Sequence, residues 1–189
     1  NAGRTVLAIL HSYGGQVGSN ALVGLSLSSR AALGLPGGIW QLVYLAGFAV
    51  PEGVSMMDTV KEFGHMELVP LAFNFAEDDT CVSNDPKTLL VGPSAVDEEE
   101  VTRYLETLVR WNGKAMYLPI THAAWREIPV AYIHCTADMT VPFDYQKSFV
   151  EGMEKNGRPV RTFELATGHC PNLTATEGVV EAVNSIVKD

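Results

Sequence analysis

Thr5-Val6-Leu7-Ala8-Ile9-Leu10-His11-Ser12-Tyr13-Gly14-Gly15 decides how the rest of the chain is read. Its first six residues are apolar or β-branched without a break, the pattern of a strand buried on both faces in a parallel sheet. The run then meets a serine, two glycines and a small-residue stretch, residues 20–33, with helical character. A strand that turns sharply into a helix through a serine leaves that hydroxyl exposed at the strand end. The backbone at such a turn is strained and the helix comes close, so small neighbours are needed. Gly14 fills that requirement, while Leu10 stands where a glycine is usual. Ser12 is therefore the candidate nucleophile. The backbone N–H of Tyr13 is the candidate donor to a developing oxyanion.

Working outward, Gly34, Pro36, Gly37 and Gly38 end the helical stretch. Residues 39–46, 128–135 and 160–165 read as further apolar strands. A helix is expected over 143–155, stopped by Asn156-Gly157, and another over 174–187, where Val179, Val180, Val183, Ile186 and Val187 share one face. Strands alternating with helices imply an α/β fold with a mostly parallel sheet and crossover helices. Residues 52–126 leave that rhythm. They hold short helices, including 97–110, whose Val101, Tyr104, Leu105, Leu108 and Val109 form an apolar stripe behind an acidic first turn. This section reads as a helical lid inserted over the sheet. The chain thus divides into 1–51 with the nucleophile strand, 52–126 as the lid, and 127–189 with the remaining core.

A serine at its ordinary pKa needs an adjacent base. In a strand–serine–helix arrangement the acid and then the base follow on loops after later strands. His169, in Thr167-Gly168-His169-Cys170-Pro171, follows the last strand and is the candidate base. Asp138, in the turn closed by Pro142, is the first candidate for the acid that orients the imidazole. Glu52, after the strand ending near Gly47, is the second. Asp144 falls at a helix start and suits a cap.

Other residues have plainer readings. His11 packs beside the nucleophile, and His65 and His122 are surface or packing residues of the lid. His134-Cys135 and His169-Cys170 are neighbouring pairs whose side chains point to opposite faces, so no metal site is expected. Cys135 reads as a small core residue. Cys170 could be accessible near the pocket, though no basic neighbour marks it as activated. Phe73, Phe75, Trp111, Tyr117 and Trp125 are the candidate lining of an apolar substrate pocket, with ordinary lid packing as the alternative for each.

The 189 residues suit one domain. A net charge of -9 speaks against nucleic acid or an anionic membrane surface as partner. Residues 39–50 are broken by Gln41 and Gly47 and are too short to cross a bilayer. Three cysteines without paired spacing suggest a reduced, cytoplasmic protein. The sequon Asn172-Leu173-Thr174 reads as a chance match, because a glycan there would crowd His169.

Leu10-His11-Ser12-Tyr13-Gly14-Gly15, Ile128-Pro129-Val130 through Asp138 to Pro142, and Gly168-His169-Cys170-Pro171 together resemble the α/β-hydrolase superfamily. The pattern is similar to its hydroxynitrile lyase and methyl esterase branch and to fungal homologues. That resemblance covers nearly the whole chain and is least specific in the lid. It implies a Ser-His-Asp mechanism with no metal or organic cofactor, acting on small, rather apolar esters or lactones. A lyase or cyclase using His169 as base, and a ligand receptor of the same fold, are the alternatives. Family members carry roughly 80 to 100 residues ahead of the nucleophile. Residues 5–10 would otherwise form an exposed apolar edge. The chain is therefore expected to be the C-terminal part of a longer polypeptide, with the N-terminal segment as its partner. A homodimer is compatible with the same edge.

Overall fold

The computed structural model describes residues 3–188. In chain order its strands and helices are β1 (Thr5–His11), α1 (Gly14–Ala21), α2 (Leu27–Ala32), β2 (Gly38–Leu45), α3 (Met56–Glu62), α4 (Val69–Ala72), β3 (Phe73–Phe75) and β4 (Thr80–Ser83). They continue with α5 (Glu98–Glu106), β5 (Trp111–Asn112), β6 (Val130–Cys135), α6 (Phe143–Lys155), β7 (Val160–Leu165), α7 (Pro171–Thr174) and α8 (Thr176–Lys188). Among the described residues no helix is long and apolar enough to cross a membrane.

The main sheet has the order β1-β2-β6-β7, with every neighbouring pair parallel. Its two inner strands are the ones buried on both faces. Leu42, Tyr44, Val130 and Tyr132 pack on one side with Phe48, Trp125, Phe149 and Met153, while Val43, Leu45, Ala131 and Ile133 pack on the other with Ala182 and Ile186 of α8. The two-residue alternation of a strand sends successive side chains to opposite faces, so both parities must be apolar here. Each such aliphatic side chain contributes about 1.5–3 kcal/mol relative to remaining exposed.

β1 departs from the expectation of two buried faces. Among the described residues it pairs only with β2, and Val6 and Ile9 are 45% and 48% exposed. The single helix expected over 20–33 is two helices. Gly24 turns the chain at φ +75°, and the Ser26 hydroxyl accepts the Ser29 N–H at 3.0 Å to cap α2. Glycine permits that backbone and serine at a cap satisfies an orphan donor, so both residues oppose a continuous helix. The section expected as a helical lid also holds a three-stranded antiparallel sheet, β3-β4-β5. Its strands are only two to four residues long, too short to show a period-two pattern.

Candidate active site

Ser12 follows β1 directly and has φ +54°. This left-handed conformation costs a non-glycine residue about 1–3 kcal/mol and persists only when neighbours hold it. Three main-chain bonds do so. The Ser12 N–H donates to Leu45 O at 3.3 Å, and its carbonyl accepts from the N–H of Gly15 at 2.9 Å and of Phe48 at 3.1 Å. The small residue this turn requires is Gly15 rather than Gly14. A Cβ at 15 would lie 2.5 Å from Phe48 N, whereas one at 14 meets nothing within 4 Å. Two other glycines make room at position 10, Gly18 for the leucine side chain and Gly47 for the main chain. A Cβ on Gly18 would sit 2.5 Å from Leu10 Cδ2, and one on Gly47 would sit 2.5 Å from the Leu10 carbonyl oxygen.

The loops after β6 and β7 bring the other two residues to this hydroxyl. His169 Nε2 lies 2.7 Å from Ser12 Oγ, and His169 Nδ1 lies 2.7 Å from Asp138 Oδ2. A carboxylate accepts, so Nδ1 carries the proton and Nε2 is left to accept from the serine. The second Asp138 oxygen accepts the N–H groups of Thr140 and Val141, both at 2.8 Å. The two loops are laced together by Thr136 N–H to Leu165 O at 2.9 Å and Ala137 N–H to Thr167 O at 3.1 Å. Both His169 and Asp138 are buried. Tyr13 is the N-cap residue of α1, and its N–H has no main-chain acceptor among the described residues. Its ring lies tilted against that of Trp111, with the centroids 5.7 Å apart, and its hydroxyl donates to Ala115 O at 3.3 Å.

Glu52 is elsewhere. Its carboxylate accepts from Arg126 Nη2 at 2.8 Å and Nε at 2.9 Å, and this guanidinium holds it below the usual carboxylate range. The alternative acid is thereby corrected: Glu52 makes a surface ion pair and no contact with His169.

His11 does more than pack. Its Nε2–H donates to the His169 carbonyl at 2.6 Å, and burial, followed by the His169 ring beside it, pushes its pKa down to about 4. Its imidazole is therefore neutral near pH 7. Cys170 is buried, with Tyr104 Oη 3.0 Å from its Sγ, and burial pushes the thiol up, so it is not an accessible thiolate.

A π-helical turn of the section between β2 and β6, Lys87–Val91, joins the loops that carry Asp138 and His169. Thr140 Oγ1 donates to Leu89 O at 2.7 Å, and Cys170 N–H donates to Leu90 O at 3.0 Å. Gly168 passes so close that a Cβ there would be 2.3 Å from Val91 O. Nothing in the local pattern of residues 87–91 marks this role, because it is carried by main-chain carbonyls.

Ser12 and His169 line a cavity of about 510 Å³ between the sheet and the inserted section. Of the five aromatic residues expected there, Phe73 and Trp111 line it, joined by Met56, Leu90, Leu105 and Leu108. The other three are corrected. Trp125 is buried in the core and donates from Nε1 to Val50 O at 3.1 Å. Phe75 lies against Gly113, where a Cβ would be 2.5 Å from its ring, and Tyr117 is exposed. Leu105 and Leu108 were visible as a helical stripe; Met56 and Leu90 carry no sequence signal of their own. No lysine or arginine lines the cavity, and the buried Ser83 hydroxyl in its wall has no partner among the described residues.

Known proteins are similar to this chain in sequence and in fold. "Probable hydrolase R7" of Phoma sp. is 28% identical over 185 residues, which span 96% of this chain and 69% of that protein. "Alpha/beta hydrolase nvfD" of Aspergillus novofumigatus is 28% identical over 201 residues, spanning 97% and 70%. Among solved structures, a methylesterase from Arabidopsis superposes with a TM-score of 0.71 at 16% identity, covering 100% of this chain and 71% of its own. Polyneuridine aldehyde esterase does so with a TM-score of 0.71 at 16% identity, covering 99% and 73%. At those identities the two structures speak for the fold. Residues 2–182 match the family model described as "Alpha/beta hydrolase family", so the chain belongs to the alpha/beta hydrolase family.

Proposed function

We propose that this protein is a serine hydrolase that cleaves a small, mainly apolar ester or lactone through an acyl-enzyme at Ser12. The observation that carries the reading is the unbroken relay from Asp138 Oδ2 through His169 to Ser12 Oγ, at 2.7 Å for each link. Ser12 Oγ forms a bond to the substrate carbonyl carbon as its proton passes to His169 Nε2. The electron pair moves onto the carbonyl oxygen, which the Tyr13 N–H stabilises. When the carbonyl re-forms, the C–O bond to the alcohol breaks and His169 delivers the proton to that leaving oxygen. Water, deprotonated by the same imidazole, then releases the acid and restores Ser12. The apolar wall, with few polar groups, suits a substrate of the same character. Names of the relatives agree at the level of hydrolase and esterase.

A strand from a further segment, seated on the free edge of β1, would cover Val6 and Ile9 and complete the sheet. Lyase chemistry is less favoured, since no lysine or arginine lines the cavity to hold a departing anion.

A fluorophosphonate tests the reading directly. Ser12 Oγ displaces fluoride from phosphorus, and intact mass with peptide mapping reads the adduct. Labelling confined to Ser12, and its absence in Ser12→Ala together with lost esterase turnover, is the expected result. Undiminished turnover in Ser12→Ala would reject the acyl-enzyme.

A further inference from the structure

A second, smaller space adjoins the cavity that holds Ser12. It measures about 90 Å³, and Met56, Phe73 and Thr140 line both. Its remaining wall comes from α3, the turn at 65–68, α4, Leu89, the loop after β6 and the start of α6, and is almost wholly apolar, with Val60, Leu68 and Ala72 among its residues. The exception is a pair. His65 Nδ1 lies 2.7 Å from the Tyr145 hydroxyl, and both residues line the space. Neither His65 Nε2 nor the tyrosine hydroxyl has another partner among the described residues.

That pair cannot satisfy itself. If the Tyr145 O–H donates to Nδ1, a neutral His65 carries its proton on Nε2, and that N–H is unpaired. If Nδ1–H donates to the tyrosine oxygen, the phenolic O–H is unpaired. Burial pushes the Tyr145 phenol up, so it keeps its proton. Every arrangement therefore leaves one N–H or O–H of the pair without a protein partner and free to donate to a ligand in the chamber. Size limits what can answer it: a cavity of about 150 Å³ holds a benzene ring, so ~90 Å³ admits only three or four heavy atoms.

We propose that this chamber is an acyl subsite that takes the short end of the substrate's acid limb and recognises a carbonyl or ether oxygen on it through the His65–Tyr145 pair. The proposal rests on the serine hydrolase reading and narrows its substrate class to esters of short keto- or alkoxy-acids. The larger cavity then holds the scissile carbonyl and the alcohol.

Three p-nitrophenyl esters test it on the full chain: acetate, which is too short to reach the chamber, pentanoate, and levulinate, which has the same chain length with a keto oxygen. The expected order of kcat/KM is levulinate over pentanoate by about fivefold, for one hydrogen bond of about 1 kcal/mol. Ala72→Phe, or Leu68→Phe as a second filling variant, should lower the levulinate-to-acetate ratio by at least about tenfold. His65→Leu and Tyr145→Phe should each erase the levulinate-to-pentanoate preference. Ratios within one variant cancel differences in the amount of folded protein. Fluorophosphonate labelling of Ser12 is run beside them. Labelling or acetate turnover with ratios indifferent to all four variants overturns the subsite and leaves the hydrolase reading standing. Absence of both labelling and turnover removes the hydrolase reading, and the subsite with it.

Discussion

His11 donates its Nε2–H to the main-chain carbonyl of His169 at 2.6 Å, so the residue before Ser12 holds the backbone of the imidazole that meets Ser12. The contact ties the end of β1 to the loop after β7, across the two inner strands. It also fixes the His11 tautomer, because a carbonyl can only accept.

This contact gives the fold an acid-sensitive point. In the unfolded chain His11 titrates near 6.5, whereas in the fold burial and the His169 ring hold it down to about 4. Between those values the unfolded chain binds a proton that the fold excludes. Stability from this group is complete above pH 6.5 and is lost as pH falls towards 4. The loss is on the order of 2–3 kcal/mol. Urea midpoints at pH 7 and pH 4.5 should therefore differ more for the native sequence than for His11→Gln, which can still donate but does not titrate. Equal differences in the two proteins would sink the assignment.

The acid can be separated from its rival by two isosteric changes. Asp138→Asn should lower kcat by about 10³–10⁴-fold, since an amide can no longer stabilise the imidazolium. Glu52→Gln should leave kcat within about twofold and cost at most ~1 kcal/mol, because its ion pair with Arg126 is at the surface. Steady-state kinetics on a small ester decide it; the reverse pattern would move the acid to Glu52.

Thr140 connects the acid loop to the inserted section. Thr140→Val keeps the N–H that serves Asp138 and removes only the hydroxyl bond to Leu89 O. Loss of about 1 kcal/mol in stability is expected from that bond, with a several-fold fall in kcat as the loop loosens. Thr140→Ser should recover most of both. Chemical denaturation and kinetics measured together would expose a purely structural role, in which stability falls and kcat holds.

Leu10 and Gly18 should behave as a coupled pair. Gly18→Ala forces a methyl against Leu10 Cδ2 and should cost about 1–3 kcal/mol. In a Leu10→Gly background the same change should be harmless or favourable, since alanine is the better helix former. A double-mutant cycle in urea reads the coupling, and strict additivity would count against it.

Much of this architecture follows from the sequence alone. The apolar runs at β2 and β6 read as strands buried on both faces and are the two inner strands, whereas the equally apolar β1 lies at the edge of the sheet. Ser12, Asp138 and His169 each stand directly after a strand, and in a parallel sheet the ends of successive strands lie at one edge. Chain order thus pointed to Ser12 and His169 and left the acid between Asp138 and Glu52, while the motifs around them carried the resemblance to the family. Only the folded chain decided the rest. Whether Phe75, Tyr117 or Trp125 faces the cavity depends on how short, irregular segments pack, and no local period encodes that. Glu52 and Asp138 both follow strands, and it was the position of Arg126 that separated them. The hold of residues 87–91 on the catalytic loops runs through carbonyl oxygens that every residue carries, so side-chain identity could not announce it.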